Sequence, residues 1–503
     1  MLFNSLAYLI FFPVIVLVYF LIPWHRVRNG MLLVASYYFY MRWDPRFIVL
    51  MIGVTLVSYF CGLLVSISQK EEAEHVEKDL RRTGNAKIYT TVTIVAMLLV
   101  LGWFKYANFL TGNLVSLMRL IGVELAIPKL NVALPVGISF FTFQAMGYVI
   151  DVYRGTTEVE KNFFRFALFV SFFPQLVAGP IERSGHLLQQ FKDKHTFDSR
   201  RVLKGLMLMV WGFFIKMVLA DRIAIIVDQV FNYYTSYQGT ILMLGAGLFS
   251  FQIYCDFNGY SLIAIGSAQV LGFDLIQNFE QPYLARTVAD FWRRWHMSLT
   301  NWFRDYIYFP LGGSRVAKWK KYRNIMIVFL ISGLWHGADW TYVIWGGMNG
   351  LMQVIGDIIN PARKKLLAKL HVNENSFGHR LVQTFLTYVY VTIAWVFFRA
   401  TSVKSAVDII VGSVKTLNPW VLFDGTIYNL GLNQMDFWAM VISLLVLLAV
   451  DILHENKIQI RESIMGQPLP VRWAIVYAAL FMILIFGIYG PGYDAASFIY
   501  FQF

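Results

Sequence analysis

The chain is poor in the residues that staple or solubilise a domain. Only two of its 503 residues are cysteines, Cys61 and Cys255, and both lie inside apolar stretches. That excludes a disulfide framework and a cysteine-based metal site. Charged residues make up 15% of the chain, where a soluble domain carries about 25%. There is no Walker loop, no GxGxxG fingerprint, no HExxH pair and no GxSxG elbow. The corresponding nucleotide, zinc and serine-nucleophile chemistries therefore have no foothold, and no metal is expected. Acids are scarce relative to bases, 30 against 43, for a net charge of +13. On an apolar chain such an excess orients loops, and no nucleic-acid motif accompanies it.

What the chain has in abundance is continuous hydrophobicity: 57% of residues are hydrophobic and 17% aromatic, with a mean hydropathy of +0.55. The apolar runs are unbroken over about 18–25 residues, the length of a spanning helix rather than of an alternating barrel strand. The expectation is an all-α polytopic membrane protein with about 11–13 membrane segments. It reads as a single integral-membrane domain over residues 1–503, with no soluble domain and no regular repeat. Leu6–Ile22 lacks a basic flank and a cleavage site, so it reads as a retained first span. Arg26 and Arg28 follow it, which predicts a cytoplasmic first loop and an N-terminus outside. The charged stretch Gln69–Lys87 reads as a solvated loop or surface helix. Val132–Ile150, with Gln144 inside, and Phe163–Gly179 are broken by proline and glycine. Such segments are expected to bend or re-enter, a geometry suited to a cavity wall.

The costliest residues lie in Ser332-Gly333-Leu334-Trp335-His336-Gly337-Ala338-Asp339-Trp340, inside the apolar run Ile325–Met348. Ionisable groups at that depth mark function by default. Read as one helix, the run places His336 about 16 Å from its start, near the middle of a membrane. Gly333 and Gly337 keep one face small for close approach. Asp339 could orient the imidazole or cap a break. Upstream, Arg286 to Arg315 is too polar to span. As a helix it carries Asp290, Arg294, Met297, Ser298, Asn301 and Asp305 on one face, with Trp292, Trp295, Leu299, Trp302, Phe303 and Tyr306 on the other. His296 falls at the edge of the aromatic face, an arrangement suited to the membrane interface. Between the two histidines, Arg315, Lys318, Lys320, Lys321 and Arg323 form a basic loop, predicted to be cytoplasmic and able to attract a phosphate-rich donor.

A neutral imidazole is a general base near pH 7. It fits one task here: taking a proton from a hydroxyl that attacks a thioester carbonyl. The oxyanion would need indole, amide or backbone N–H donors, and burial would exclude water. A secondary transporter with broken helices is the alternative from another class, although no paired halves are visible.

Asp290-Phe291-Trp292-Arg293-Arg294-Trp295-His296-Met297-Ser298-Leu299-Thr300 and Trp302-Phe303-Arg304-Asp305-Tyr306-Ile307-Tyr308, followed by Pro310-Leu311-Gly312-Gly313, resemble the signature of membrane-bound O-acyltransferases. Ser332–Gly337 resembles that family's histidine motif, and Pro135–Gly147, Phe173–Ile181 and Phe498–Phe503 resemble its bacterial branch. The resemblance implies a helical bundle with a central tunnel and an acyl thioester, with acetyl-CoA the donor in the acetyl-export group. It implies His336 as the essential histidine and His296 as a second one. It marks Trp335, Asp339, Asp290, Arg293, Arg294, Trp295, Asn301, Arg304, Asp305, Gln144 and Asn349 as candidate tunnel or substrate residues. Lys318, Lys320, Lys321 and Arg323 would attract donor phosphates.

The resemblance further implies a bacterial inner-membrane location among membrane lipids. The partner would be an extracytoplasmic SGNH-type O-acetyltransferase or a small acyl-carrying membrane protein. The polysaccharide acceptor, such as alginate, would be reached indirectly. D-alanyl transfer to teichoic acid from a charged carrier is the alternative within the family. Relatives often end the second motif with His-Gly, whereas this chain has Asn349-Gly350.

Overall fold

The computed structural model describes residues 1–77, 85–130, 133–177, 179–489 and 499. Among them every regular element is helical. Seven helices are long and apolar enough to cross a membrane: Pro45–Glu71, Ala86–Leu120, Ser199–Asn232, Thr240–Leu271, Phe377–Arg399, Gln434–Glu455 and Leu469–Phe486. Against the expected 11–13 segments, the described residues hold these seven by length and composition, with Leu6–Leu21 as a shorter apolar helix. The run Ile325–Met348 and the two segments bearing proline and glycine are cut by breaks, and His25–Met41 is 17 residues long. Part of the stretch Gln69–Lys87, Val132, Ala178 and all of Phe498–Phe503 except Ile499 lie outside the described residues.

The chain divides into two compact units, Met1–Leu206 with Ala264–Ile276, and Met207–Ile263 with Gln277–Phe503. In the first unit the two interrupted segments are indeed broken. They form helices Ile138–Tyr153, Phe163–Ser171 and Phe173–Leu176. The longest of these, at 16 residues, extends about 24 Å, short of a hydrocarbon core of about 30 Å. The break at Phe172 has a definite hydrogen-bond solution. Phe173 N–H, which would continue the ladder to Phe169, instead donates to Ser36 Oγ at 3.1 Å. The released Phe169 carbonyl accepts the side-chain amides of Gln144 at 2.6 Å and Gln175 at 2.9 Å. A break buried among apolar side chains persists only where such substitutes exist.

In the second unit, Lys216 is buried inside a span, on a π-helical turn at Phe214–Ala220. Its ammonium pairs with Asp221 at 2.7 Å and with Asp256. Asp256 also accepts the backbone N–H of Ile499 at 2.7 Å. A lone charge there would be prohibitively desolvated, so the pairing is what makes it tolerable.

The run Ile325–Met348 is not one helix. Lys318–His336 ends at His336, and Trp340–Lys369 begins after a turn at Gly337–Asp339. The two helices pack back on each other. A Cβ on Gly333 would strike the Tyr342 carbonyl oxygen, one on Gly337 the Tyr342 ring, and one on Gly346 the Phe329 carbonyl oxygen. The small-residue face thus seats the second helix of a hairpin. Gly347 is different: its Cβ would meet only the Leu330 side chain, at 3.6 Å. Gly333→Ala should therefore cost about 1–3 kcal/mol by overpacking, whereas Gly347→Ala should be neutral or slightly stabilising. Thermal unfolding of the two purified variants in detergent checks this, and equal melting temperatures would contradict the packing.

Candidate functional site

The segment Arg286–Arg315 forms two short helices, Val288–Arg294 and Met297–Phe303, and a π-helical turn Arg304–Tyr308. It is not a continuous amphipathic helix, and the break falls on His296. That residue adopts φ 43°, ψ 52°, a left-handed conformation worth about 1–3 kcal/mol of strain for a side chain with a Cβ. Neighbouring backbone holds it there. Met297 N–H donates to Asn278 O at 2.9 Å, and Glu280 N–H to Arg294 O at 3.0 Å. Ser298 Oγ donates to Asn278 Oδ1 at 2.6 Å, and Asn278 Nδ2 to Ser261 Oγ at 3.1 Å. Strain of this kind survives only where the surroundings over-determine it.

His336 arrives from the other direction, as the last residue of its helix. Its imidazole is enclosed edge-to-face by Trp335, Trp345 and Phe398, with ring centroids at 4.9, 5.1 and 5.3 Å. The His296 and His336 rings are 6.4 Å apart at 73°, both within reach of Trp335. The two histidines line one cavity of about 790 Å³. Its remaining wall is mostly apolar, including Trp292, Phe329, Met352 and Leu386, and its charged lining is Arg286, Arg293, Arg304, Lys321, Arg363 and Asp357. Asp357 is already paired with Lys321 at 2.8 Å. Among the lining side chains bases outnumber acids five to one, although Arg293, Arg304 and Arg363 also have carboxylates beside them outside the lining, Asp290, Asp305 and Glu374; this basic rim adjoins an apolar chamber that holds two imidazoles. Such a site can accept an anionic molecule with an uncharged reactive end.

The candidate residues fall into two groups. His296, His336, Arg293, Arg304 and Lys321 line the cavity. Trp295 and Trp335 are buried behind it, and Trp295 stacks on Phe291 at 5.3 Å. Asp290 pairs with Arg294, which is also held by Glu455 at 2.6 Å, and neither Asp290 nor Arg294 is in the lining. Asp305 binds Arg304 at 2.9 Å, and Asn301 is half-buried outside the lining. Asp339 is exposed and caps the Trp340–Lys369 helix by accepting Thr341 N–H at 2.9 Å, so its position is explained by capping. Gln144 serves the break in the first unit. Lys318 and Lys320 are exposed outside the lining, and Arg323 binds the neighbouring Asn324.

Sequence reasoning missed Arg286, Arg363, Asp357 and Tyr390 as cavity residues. Only the clustering of basic residues at segment ends hinted at the two arginines. The remainder depends on how the hairpin packs. The two interrupted segments of the first unit, expected as tunnel wall, contribute nothing to this lining.

The family model of the membrane-bound O-acyltransferases matches residues 158–370, which include both histidines and the whole cavity lining except Gln383, Leu386, Thr387 and Tyr390. The chain is 37% identical to a probable alginate O-acetylase AlgI of Pseudomonas syringae pv. tomato, over 84% of this chain and 76% of the relative. It is 38% identical to the corresponding protein of Pseudomonas putida, over 84% and 82%. Identity to a peptidoglycan O-acetyltransferase of Helicobacter pylori is 32%, over 82% and 80%.

His296 lies outside the seven candidate spans, and burial pushes its imidazole down to about 3. The ring is neutral in the folded protein, while the unfolded chain binds its proton near the ordinary value of 6.5. The group's contribution to stability is complete above about 6.5 and is lost as pH falls towards about 3, at up to about 1.4 kcal/mol per pH unit. Melting temperature should therefore drop on acidification, and His296→Gln should flatten the drop. An unchanged slope in that variant would refute the assignment.

Proposed function

The chain belongs to the membrane-bound O-acyltransferase family, and on that premise we propose that it moves an acetyl group from cytoplasmic acetyl-CoA across the membrane for O-acetylation of an exported polysaccharide such as alginate. It is a bacterial multi-pass inner-membrane acyltransferase, which sets the transporter alternative aside. The observation that carries the finer reading is the pair of imidazoles on one cavity wall, 6.4 Å apart, beside a basic rim.

In this reading the rim attracts the donor's phosphates while the uncharged thioester enters the apolar chamber. His336 takes the proton of an acceptor hydroxyl as its oxygen attacks the thioester carbonyl. His296, kept neutral by burial, donates a hydrogen bond to the developing oxyanion rather than acting as a base. The tetrahedral centre then collapses, the C–S bond breaks, and the departing thiolate receives the proton held by His336. The products are an ester and free thiol, with no net proton gained or lost.

The acceptor is an extracytoplasmic SGNH-type transferase or a small acyl-carrying membrane partner, which passes the group to the glycan. The basic loop lies on the cytoplasmic side and the N-terminus outside, by the distribution of Lys and Arg. The name of the AlgI relatives supports acetyl transfer towards alginate.

Purified protein incubated with labelled acetyl-CoA and membranes should transfer label to a membrane or extracytoplasmic acceptor. His336→Ala should lower that transfer by about 10²–10⁴-fold at unchanged membrane abundance. Normal transfer by that variant would remove His336 as the base, and transfer from a charged carrier protein in place of acetyl-CoA would point to D-alanylation. Arg293→Gln with Arg304→Gln should raise the donor KM with little change in kcat, since the rim acts on binding rather than on the transition state. The same KM at low and high salt would contradict the role of the rim.

A further inference from the structure

Asn349 lies on the Trp340–Lys369 helix and is 1% exposed. Its side chain makes two hydrogen bonds. The amide nitrogen donates to the Trp345 carbonyl, one turn earlier, at 2.8 Å. The amide oxygen accepts the indole N–H of Trp292 at 3.1 Å. An indole nitrogen can only donate, so the chemistry itself dictates which end of the amide faces it.

Both partners of Asn349 bear on the site. Trp292 is part of the cavity wall, with its ring 5.6 Å from Trp345 and 5.3 Å from Phe329. Trp345 stands edge-on to His336 at 5.1 Å and 89°, and it is stacked on Trp395 at 5.5 Å. One amide therefore ties the indole that forms the wall to the helical turn whose indole confines the imidazole.

We propose that Asn349 is a positioning residue of acyl transfer, acting through Trp292 and Trp345 to hold the cavity wall and the His336 ring in one arrangement. This rests on the cavity being the transfer site. The requirement is for a neutral group that donates and accepts at once. A carboxylate has no hydrogen for the Trp345 carbonyl, and an apolar side chain leaves both partners unanswered in a buried place. An imidazole can serve both partners, but only while neutral and in one tautomer. An amide does not titrate, so Asn349 serves both partners independently of pH. Gly350 belongs to the arrangement, because a Cβ there would press on Met326 and Phe329 at 3.0 Å, and Phe329 backs Trp292.

The test is steady-state acetyl transfer by the purified full-length protein, comparing wild type with Asn349→Leu, Asn349→His, Trp292→Phe and the Asn349→Leu/Trp292→Phe double variant. Asn349→Leu should lower kcat by about 100-fold while leaving the donor KM nearly unchanged, the pattern of misplaced reacting groups. Asn349→His should recover most of kcat at pH 8, and its rate relative to wild type should fall as pH is lowered. The double variant should be no slower than the slower single variant, since both remove the same bond. If Asn349→Leu does not reach the membrane, Asn349→His and Trp292→Phe decide the matter. The relative pH dependence and a kcat-only loss support the proposal, and their absence overturns it. Active wild type with Asn349→Leu within about 2-fold of it also overturns the proposal alone, since a misplaced site would cost far more. Wild type that transfers no acetyl group from any donor overturns the transfer reading and this proposal with it.

Discussion

A backbone group released by a helix break in an apolar interior must find another partner, and the second unit places its chemistry where such breaks occur. His336 is the final residue of one helix, and His296 separates two short ones. At the first break Gly337 N–H still reaches Gly333 O at 3.2 Å, and Asp339 caps the next helix. At the second, Asn278 answers Met297 through its carbonyl and Ser298 through its side chain. The first unit uses the same solution at Phe172, with Ser36, Gln144 and Gln175 as the substitutes. The breaks put both histidines at helix ends, while the rest of the chamber wall, such as Phe329, Met352 and Leu386, comes from continuous helices.

Charge follows a second constraint. Inside the spans buried ionisable groups are held by polar partners, Lys216 by Asp221 and Asp256 and Asp451 by the Tyr254 hydroxyl at 3.1 Å. At the cavity the balance differs: five basic side chains face one acid, which is itself already engaged. Arg293 and Arg304 keep side-chain exposures of 73% and 51%, although each also has a carboxylate beside it, Asp290 at 3.8 Å and Asp305 at 2.9 Å. The imidazoles lie among aromatic rings, and burial holds that of His296 in its neutral form.

Much of the site was legible. The 3.6-residue period assigned Trp292, Trp295, Leu299, Trp302, Phe303 and Tyr306 to one face, and all of them are buried. The expense of burying His336 singled it out, and the motif around His296 supplied its companion. The period could not reveal that the helix stops at His296, because the left-handed turn is imposed by Asn278, a residue outside the segment. Nor could it separate Arg293 from Arg294. The two are adjacent in sequence and both lie within 3.8 Å of Asp290, yet one faces the cavity while the other is held by Glu455. Asp339 shows the reverse case, a buried-looking acid in an apolar run that is an exposed helix cap.

The sequence by itself determined the membrane class, the helical architecture, the family and the identity of the two histidines. Those depend on composition, run length and local motif, all of which are properties of residues near one another in the chain. Only the tertiary structure decided that the apolar run through His336 is a hairpin. The glycine-lined approach of its two helices requires a partner backbone that no local pattern specifies. It also decided which basic residues reach the chamber, and that Asn349 braces Trp292 across 57 residues of chain. Hydrogen bonds and cavity walls join residues remote in sequence, and their geometry is set by how helices pack.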